Sequence, residues 1–212
     1  MSKIKCIIFD LGGVIIDIEF SNFYNSIIAQ FPLNKPQIPI ILEFSHQSEK
    51  YHQGLISDKE FYLLACNVLQ VCELDQKNFF TAFNSIISGY NSDIVDLILK
   101  IKEKTDLKLI CLSNVNSSHW EFLLSKKWDF FDYFDEIILS HEIHMTKPAE
   151  KVFHYAIQKA GCNPEEIVLI DDSINNIRSA RNLGIIGIKF TNKEELIEEL
   201  KDLQILKEEI LT

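Results

Sequence analysis

The sequence feature that most constrains the fold is an apolar run near the amino terminus that ends at a carboxylate. Residues Ile4 to Asp10 are rich in β-branched side chains, and Gly12 and Gly13 follow closely. A strand that is apolar on both faces is typical of a parallel sheet covered by helices. Its last residue would lie at the carboxyl edge of the sheet, where open α/β sheets bind ligands. The run therefore predicts an α/β fold with Asp10 at that edge, although an ordinary Asp turn would give the same local pattern.

After residue 90 the chain continues as an alternation of strands and helices. Helical spacing over Ile94–Ile101 comes first, and Lys147-Pro148 is expected to open a later helix with Pro148 at its first position. Gly161 suits the carboxyl end of that helix. Such alternation produces a parallel sheet with right-handed crossovers. The four further strands are expected at Leu107–Leu112, Glu136–Ser140, Glu166–Ile170 and Ile185–Phe190.

The segment from Asp17 to Tyr90 differs in character, because it contains no comparable strand run. Ser57 and Glu60 form a capping box, in which each side chain bonds the backbone of the other residue at the start of a helix. The apolar face of Phe61–Val71 follows this box. We therefore expect a mostly helical insertion between the first strand and the rest of the α/β pattern.

Length and charge narrow the classes of partner. The 212 residues suit one domain, or one domain with an insertion. A formal net charge of -10 without a dense basic tract argues against nucleic acid and anionic membranes as partners, because phosphate backbones are held by clustered Lys and Arg. A small anion could still bind at one lysine or at a helix N-terminus.

The cysteines and the apolar segments indicate the compartment. The cysteine count is odd and no pair forms a C-x-x-C, which favours a reducing cytoplasm over a disulfide framework. Asp10 and Asp17 interrupt the stretch Ile4–Ile18, so it is not expected to be a signal peptide, and no stretch has the length of a membrane span. We expect a cytoplasmic monomer or homodimer. The cysteines are Cys6, Cys66, Cys72, Cys111 and Cys162.

Polar groups capable of chemistry occur where the predicted strands end. Each of these patterns is common when it is taken alone. In a parallel sheet, however, all of them would meet at one edge, and that combination is much more specific. The positions are Asp10, Ser113-Asn114, Lys147 and Asp171-Asp172.

These residue types favour phosphoryl transfer. Asp10, Asp171 and Asp172 would repel one another unless a hard dication such as Mg²⁺ bound them. Lys147 would neutralise charge on a phosphoryl group as a point charge, and Ser113 would donate a hydrogen bond to a phosphate oxygen. Asp10 could then attack phosphorus and form an aspartyl phosphate. The plainer alternative is that the acidic pair only caps a helix.

Taken together, the motifs resemble those of the haloacid dehalogenase-like superfamily of hydrolases. Within it the chain is similar to the helical-cap branch that contains small sugar phosphatases such as bacterial glucose-1-phosphate phosphatase. The resemblance covers nearly the whole chain, including a cap-like segment over Tyr51–Ser57. The matching motifs are Phe-Asp-Leu-Gly-Gly-Val-Ile at 9–15, Leu-Ser-Asn at 112–114, Met-Thr-Lys-Pro at 145–148 and Ile-Asp-Asp-Ser…Asn-Asn-Ile at 170–177.

This resemblance implies a fold and a domain organisation. The core would be Rossmann-like, with a five-stranded parallel sheet flanked by helices. A helical cap would be inserted after the first strand. The core would comprise residues 1–16 and 91–212, and the cap would comprise residues 17–90.

The resemblance also implies an activity and the roles of individual residues. The expected reaction is Mg²⁺-dependent hydrolysis of a small phosphomonoester, with a sugar phosphate favoured. Asp10 would be the nucleophile, and Mg²⁺ would be held by Asp10, the Gly12 carbonyl and Asp172. The other implied residues are Ser113, Asn114 and Lys147 at the substrate, with Asp171 and Asn176 as supporting groups.

One position departs from the pattern of the resembled family. Most phosphatases of that family carry a second Asp two residues after the nucleophile, as general acid and base, and this chain has Gly12 there. A glycine carbonyl can bind metal but cannot transfer a proton, and general acid–base catalysis contributes on the order of 10²–10⁴-fold. We therefore expect slow or substrate-assisted turnover, or a substitute such as Asp17, His46 or His52.

Three other functions stay open at this stage. A hydrolytic haloacid dehalogenase also uses an Asp nucleophile, but it needs no metal, so the Asp171-Asp172 pair argues against it. A response-regulator receiver would carry its acidic pair after its first strand. A catalytically silent descendant could bind a partner protein, and Gly12 favours that alternative. The segment His141–His144 lacks the H-E-x-x-H spacing of a zinc-binding helix, and we expect no metal role for it.

Overall fold

The centre of the molecule is a five-stranded parallel β-sheet, and residues Cys6–Phe9 form its central strand. The computed structural model describes residues 3–30, 48–69, 71 and 73–206. All five predicted strands are present, and the doubly covered parallel sheet is confirmed. The strands are β1 (Cys6–Phe9), β2 (Ile16–Ile18), β3 (Ile87–Tyr90), β4 (Lys108–Ser113), β5 (Glu136–Leu139), β6 (Ile167–Asp171) and β7 (Ile186–Lys189). Their order in the parallel sheet is β5-β4-β1-β6-β7.

Helices cover both faces of the sheet and form most of the described part of the insertion. In the part of the chain that the structure describes, no helix is both long enough and apolar enough to cross a bilayer. Short 3-10 helices occur at Asp129–Tyr133 and Pro164–Glu166. The α-helices are α1 (Phe20–Gln30), α2 (Asp58–Leu69), α3 (Gln76–Asn84), α4 (Ser92–Lys104), α5 (Ser117–Ser125), α6 (Ser140–Ile143), α7 (Glu150–Ala160), α8 (Ile174–Asn182) and α9 (Lys193–Asp202).

The position of β1 at the centre of the sheet explains why its sequence is apolar on both faces. Successive side chains of a strand point to opposite faces of the sheet. Ile8 packs into one apolar cluster with Phe153 of α7. Phe9 belongs to the cluster on the other face, together with Ile98 of α4 and Leu200 of α9. Helices thus cover both faces, and the site residues can emerge only at the strand ends.

A short antiparallel pair of β2 and β3 joins the two ends of the insertion to the core. The sequence pattern does not predict this pair. The strands contain three and four residues, and their register shifts between Asp17 and Ile18. Strands this short carry too little alternation to be recognised, and they are stabilised by their pairing with each other. The insertion therefore begins and ends in strands, whereas we expected helices and loops.

The described interior of the insertion is mainly helical, as the capping box indicates. The backbone N–H of Ser57 donates to Glu60 Oε2 at 2.8 Å, and the N–H of Glu60 donates to Ser57 Oγ at 3.3 Å, at the start of α2. Phe61 of α2 stacks on Tyr51 with ring centroids 4.2 Å apart, and Phe83 of α3 packs against Phe61. Aromatic packing of this kind joins the helices of the insertion into one layer.

The position of Pro148 differs from the expectation. Helix α7 begins at Glu150 with Ala149 as its N-cap, and the Lys147–Pro148 peptide is cis. Lys147 and Pro148 therefore form a turn before the helix, and Pro148 is not its first residue. The physical reason is that the Lys147 backbone is held by Asn114 of the neighbouring loop in a non-helical position. Gly161 does cap the carboxyl end of α7, with φ 72°.

We predict that Ile8→Ala lowers the free energy of unfolding by about 2–5 kcal/mol, because it leaves a cavity at a fully buried position between two strands. Urea denaturation followed by circular dichroism measures the change. Leu124→Ala is the control, since Leu124 is 51% exposed, and it should change the same quantity by less than about 0.5 kcal/mol. Equal losses in the two variants would contradict the assignment of β1 to the core.

Candidate active site

The carboxyl edge of the sheet brings the predicted polar residues together. Asp10 follows β1, Ser113 ends β4, and Asp171 ends β6. A cavity of about 620 Å³ opens above this edge, between the core and the insertion. Asp171 is fully buried beneath the edge. The other predicted site residues line the cavity: Asp10, Gly12, Ser113, Asn114, Lys147, Asp172 and Asn176.

Lys147 is the centre of a buried ionic network. Its Nζ atom lies 2.8 Å from Asp10 Oδ1 and 2.7 Å from Asp171 Oδ2, and it also donates to the Leu112 carbonyl at 2.8 Å. These three contacts use all three ammonium hydrogens. Burial alone would lower the pKa of Lys147, but the charges of Asp10 and Asp171 raise it above the usual value. The lysine is therefore charged, and it fixes Asp10 in one orientation.

Asp171 is saturated by donors from the protein. Besides Lys147, it accepts from Asn176 Nδ2, at 2.9 Å on Oδ1 and 3.0 Å on Oδ2. The Ser173 backbone N–H donates to Oδ1 at 2.9 Å. Ser173 occupies the N-cap of α8, but its side chain makes no capping hydrogen bond. Asp171 thus orients Lys147 and the start of α8 at the same time.

Asn114 holds the lysine from its backbone side. Its Oδ1 accepts from the Lys147 backbone N–H at 2.8 Å, and its Nδ2 donates to the Lys147 carbonyl at 2.8 Å. Both sides of one residue are therefore clamped by one amide. The contact of Asn114 with a substrate stays a prediction.

Asp10 has one oxygen engaged by the protein and one left for a ligand. The two hydrogen bonds that described residues make to it, from the Leu11 N–H at 2.7 Å and from Lys147, both fall on Oδ1. Burial raises the pKa of Asp10 to about 7, against the lowering effect of Lys147. A carboxylate that is desolvated and oriented in this way is suited to nucleophilic attack.

The carboxylates at the edge fit a hard dication. One oxygen from each of Asp10, Asp171 and Asp172 lies within 4.8 Å of the others. Burial, and then the charge of Asp171, raises the pKa of Asp172, which a cation would reverse. Gly13 supplies the space, because a Cβ at this position would lie 2.6 Å from Asp172 Oδ2. Oxygen donors in this number are the ligands that Mg²⁺ takes in proteins.

Ser113 faces the cavity with an available hydroxyl group. Its side chain makes no hydrogen bond to any residue that the structure describes, although the residue is only 4% exposed. The hydroxyl can therefore donate to a ligand bound beside Asp10.

Two histidines line the opposite side of the cavity, and Asn116 connects them. His52 Nδ1 lies 2.8 Å from the Ser48 carbonyl, and His119 Nε2 lies 3.3 Å from the Phe83 carbonyl, so both nitrogens carry a hydrogen. The Asn116 amide can then donate to His52 Nε2 at 3.3 Å and to His119 Nδ1 at 2.9 Å. Burial lowers the pKa of both imidazoles, that of His119 to about 3. Both rings are therefore neutral, and all their nitrogens are engaged.

The three substitutes for an acid at Gly12 have different outcomes. His52 lines the cavity, but it is neutral and engaged as described above. Asp17 lies exposed on β2 and is not among the cavity-lining residues. His46 lies outside the described residues. Asn116 and His119 were not predicted from the sequence, although Asn116-Ser117-Ser118 is a pattern for the start of a helix, and Asn116 does cap α5.

The segment His141–His144 contacts carbonyl oxygens. His141 Nδ1 donates to the Val115 carbonyl at 2.8 Å, and His144 Nδ1 donates to the Gln53 carbonyl at 2.9 Å. The Ser140 hydroxyl donates to the His52 carbonyl at 2.6 Å. The bonds to Gln53 and His52 connect the insertion to the core, whereas the bond from His141 to Val115 lies within the core.

The fold and the site together define a hydrolase with a Rossmann-like core and a carboxylate–lysine edge. The sequence model of the haloacid dehalogenase-like hydrolases matches residues 4–184, and the chain therefore belongs to that family. The match covers the insertion, all the site residues named above and the core as far as α8, and it ends before β7.

Individual relatives resemble the chain over most of its length. A D-ribitol-5-phosphate phosphatase from Bacteroides thetaiotaomicron is 27% identical over 206 residues, which cover 93% of this chain and 97% of that protein. A crystal structure of a haloacid dehalogenase family enzyme from the same organism, in complex with magnesium and inorganic phosphate, has a TM-score of 0.79 and 26% identity. The similarity covers 91% of this chain and 98% of the crystallised chain.

One relative is much longer. Drimenol cyclase from Aspergillus calidoustus is 25% identical over 205 residues, which cover 94% of this chain and 36% of that protein. The chain therefore spans about a third of the length of this relative.

We predict that Gly13→Ala weakens Mg²⁺ binding by at least about tenfold, because the added Cβ displaces the Asp172 carboxylate. Isothermal titration with Mg²⁺ measures the affinity. Gly161→Ala is the matched control: Gly161 also has a positive φ, but its added Cβ meets no atom within 4 Å. Both variants should lose about 1–2 kcal/mol of stability from backbone strain. Unchanged Mg²⁺ affinity in Gly13→Ala would contradict the assigned metal position.

We also predict that the protein loses stability as the pH falls, and that His119 is the source of this loss. The pKa of His119 falls from 6.5 to about 3 on folding because of burial. A lowered folded pKa means that its contribution to stability is present above 6.5 and is lost as the pH falls toward 3. The slope approaches about 1.4 kcal/mol per pH unit for one imidazole. Denaturation midpoints between pH 7 and 4 measure it.

The variant His119→Phe should reduce that slope. A phenyl ring keeps the stacking on Phe83, whose centroid lies 4.3 Å from that of His119, but it cannot titrate. The control is His154→Phe, since His154 is exposed on α7, and it should keep the slope of the parent protein. A slope that is equal in all three proteins would exclude His119 as its source.

Proposed function

We propose that the protein is a Mg²⁺-dependent phosphomonoesterase that forms an aspartyl phosphate on Asp10. The observation that carries this proposal is the state of Asp10. Its Oδ1 is fixed by Lys147 and by the Leu11 N–H, whereas Oδ2 has no hydrogen-bond partner among the described residues. A carboxylate held in this way beside an available Ser113 hydroxyl is suited to attack a bound phosphate ester.

The metal would be held by Asp10, the Gly12 carbonyl and Asp172. A bound Mg²⁺ supplies positive charge that offsets the repulsion between these carboxylates and the substrate phosphate. The relative that was crystallised with magnesium and inorganic phosphate supports this choice of cation. Asp171 acts from below the edge, where it keeps Lys147 charged and in place.

The remaining residues bind and orient the phosphoryl group. Ser113 donates its hydroxyl hydrogen to one phosphate oxygen, and the positive charge of Lys147 lies beside the Asp10 carboxylate that reacts. Asp10 Oδ2 attacks phosphorus as the bond to the leaving alcohol breaks, and water then hydrolyses the acyl phosphate. Asn114 and Asn176 keep the lysine and Asp171 aligned during both steps.

Protonation of the leaving group limits the rate. Gly12 has no side chain that could give a proton, and the neutral imidazoles of His52 and His119 are engaged with Asn116. Neither Asp17 nor His52, the two candidate substitutes in the described part of the chain, is placed to give this proton, and His46 lies outside that part. We therefore expect the leaving alcohol to take its proton from water or from the substrate itself. Turnover should be slower than in phosphatases with an acid at this position, by on the order of 10²–10⁴-fold.

A phosphorylated sugar or sugar alcohol is the first substrate class to test. The support comes from the relative named a D-ribitol-5-phosphate phosphatase, which aligns over 97% of its length. A dehalogenase is less well supported, because it has no use for three carboxylates within 4.8 Å of one another. A silent binding protein would have no need of the hydrogen bonds that orient Lys147.

We predict that Asp10→Asn lowers kcat for a chromogenic phosphate ester by at least about 10³-fold in the presence of Mg²⁺, because the amide cannot act as the nucleophile. Removal of metal with a chelator should abolish the activity of the parent protein, and added Mg²⁺ should restore it. Asp93→Asn is the control, because it makes the same change at an exposed ion pair on α4. Full activity in Asp10→Asn, or activity that resists the chelator, would refute the proposed mechanism.

A further inference from the structure

The insertion contributes an apolar lining to the cavity, whereas the carboxylates that line it belong to the core. Ile18 of β2 and Phe20 of α1 border the cavity on one side, and Ile86 continues the surface toward β3. We call the following cavity-lining residues the apolar wall: Ile18, Phe20, Phe23, Tyr24, Phe83 and Ile86.

The charged side chains of the described cavity lining all belong to the core. Among the described residues that line it, the charged side chains are Asp10, Lys147 and Asp172, and all three belong to the phosphate site. His52 and His119 lie nearer to the apolar wall, but both are neutral, and their ring nitrogens are already bonded to carbonyl groups and to Asn116. A second charge on the substrate would therefore find no partner in the described part of the wall.

Phe20 is the residue of the apolar wall that is most open to solvent. It is 64% exposed, although it lies at the first position of α1 beside the cavity. An exposed phenyl ring contributes little to the packing of the protein itself. A ligand that fills the cavity beside Phe20 would remove part of this apolar surface from water.

We propose that this site selects phosphate esters whose leaving group is uncharged and presents a hydrocarbon face to the apolar wall. Phe20 is the specificity-determining contact. The proposal rests on the phosphatase function, because the phosphate must be held at Asp10 for the leaving group to reach the wall. Burial of an unpaired charge is strongly unfavourable, so phosphorylated acids and bisphosphates are rejected. Ring or alkyl surface laid on Phe20 stabilises the bound state.

Binding to the Asp10→Asn variant in Mg²⁺ tests the charge selection without any need for turnover. Ribitol phosphate and ribonate phosphate form a matched pair, since they share a carbon chain and differ only in a terminal hydroxymethyl group or carboxylate. We expect the ribonate ester to bind at least about 30-fold more weakly, because its carboxylate is desolvated without a partner. Equal or tighter binding of the ribonate ester would overturn the proposal.

The role of Phe20 is tested with benzyl phosphate and ribitol phosphate. In the Asp10→Asn background, Phe20→Ala should weaken the binding of benzyl phosphate by about tenfold and that of ribitol phosphate by less than about threefold. The reason is that only benzyl phosphate offers a continuous apolar surface. Leu63→Ala is the matched control: Leu63 is 55% exposed on α2 and does not line the cavity. It should change neither affinity. An equal effect of Phe20→Ala on both esters would overturn the role of Phe20.

These measurements separate the two proposals. If the parent protein hydrolyses no ester but the binding order and the Phe20 effect hold, the phosphatase function fails and the selectivity of the cavity stands. If esters are hydrolysed in Mg²⁺ but ribonate phosphate is preferred, the phosphatase function stands and the proposed selectivity fails.

Discussion

The buried ammonium group of Lys147 lies between two carboxylates, and the geometry of the whole site depends on it. Its charge is stable in the interior only because Asp10 and Asp171 face it at 2.8 and 2.7 Å. Loss of one partner from such a group typically costs about 3–5 kcal/mol, because the other charge is left buried without compensation. The contacts that stabilise the charged lysine in the interior therefore also hold Asp10 in the orientation that the proposed nucleophilic attack needs.

Three chain segments meet at this lysine, and each is fixed by a hydrogen bond to its neighbour. Asn114 after β4 clamps the Lys147 backbone, and Asn176 of α8 holds Asp171. The insertion is bonded to the core nearby through Ser140, whose hydroxyl donates to the His52 carbonyl. The cavity thus has charged groups from the core and an apolar wall from the insertion. The proposed chemistry is therefore located on the core, and the proposed selection of the leaving group is located on the insertion.

The sequence was sufficient for the core because its signals are local and periodic. The run that ends at Asp10 is apolar on both faces because helices cover both sides of its strand, and the alternation after residue 90 predicts the other four strands of the sheet in their observed places. The order of the polar residues at the strand ends was equally visible. Since parallel strands end at one edge, Asp10, Lys147 and Asp172 could be brought together before any coordinates were known.

Tertiary structure decided what depends on contacts between distant segments. The pair β2–β3 has too few residues to be recognised, and its strands are about seventy residues apart in the chain. Pro148 precedes its helix because Asn114 holds Lys147 in a turn. His52 is neutral because burial lowers its pKa, and Ser48 and Asn116 engage its ring nitrogens. The sequence by itself thus determined the parallel core and the residues at its edge. Within the core, Lys147 and the Leu11 N–H decided which oxygen of Asp10 is left for a ligand. Only the packing of the insertion onto that edge decided which histidines are engaged and that an apolar wall lines the cavity.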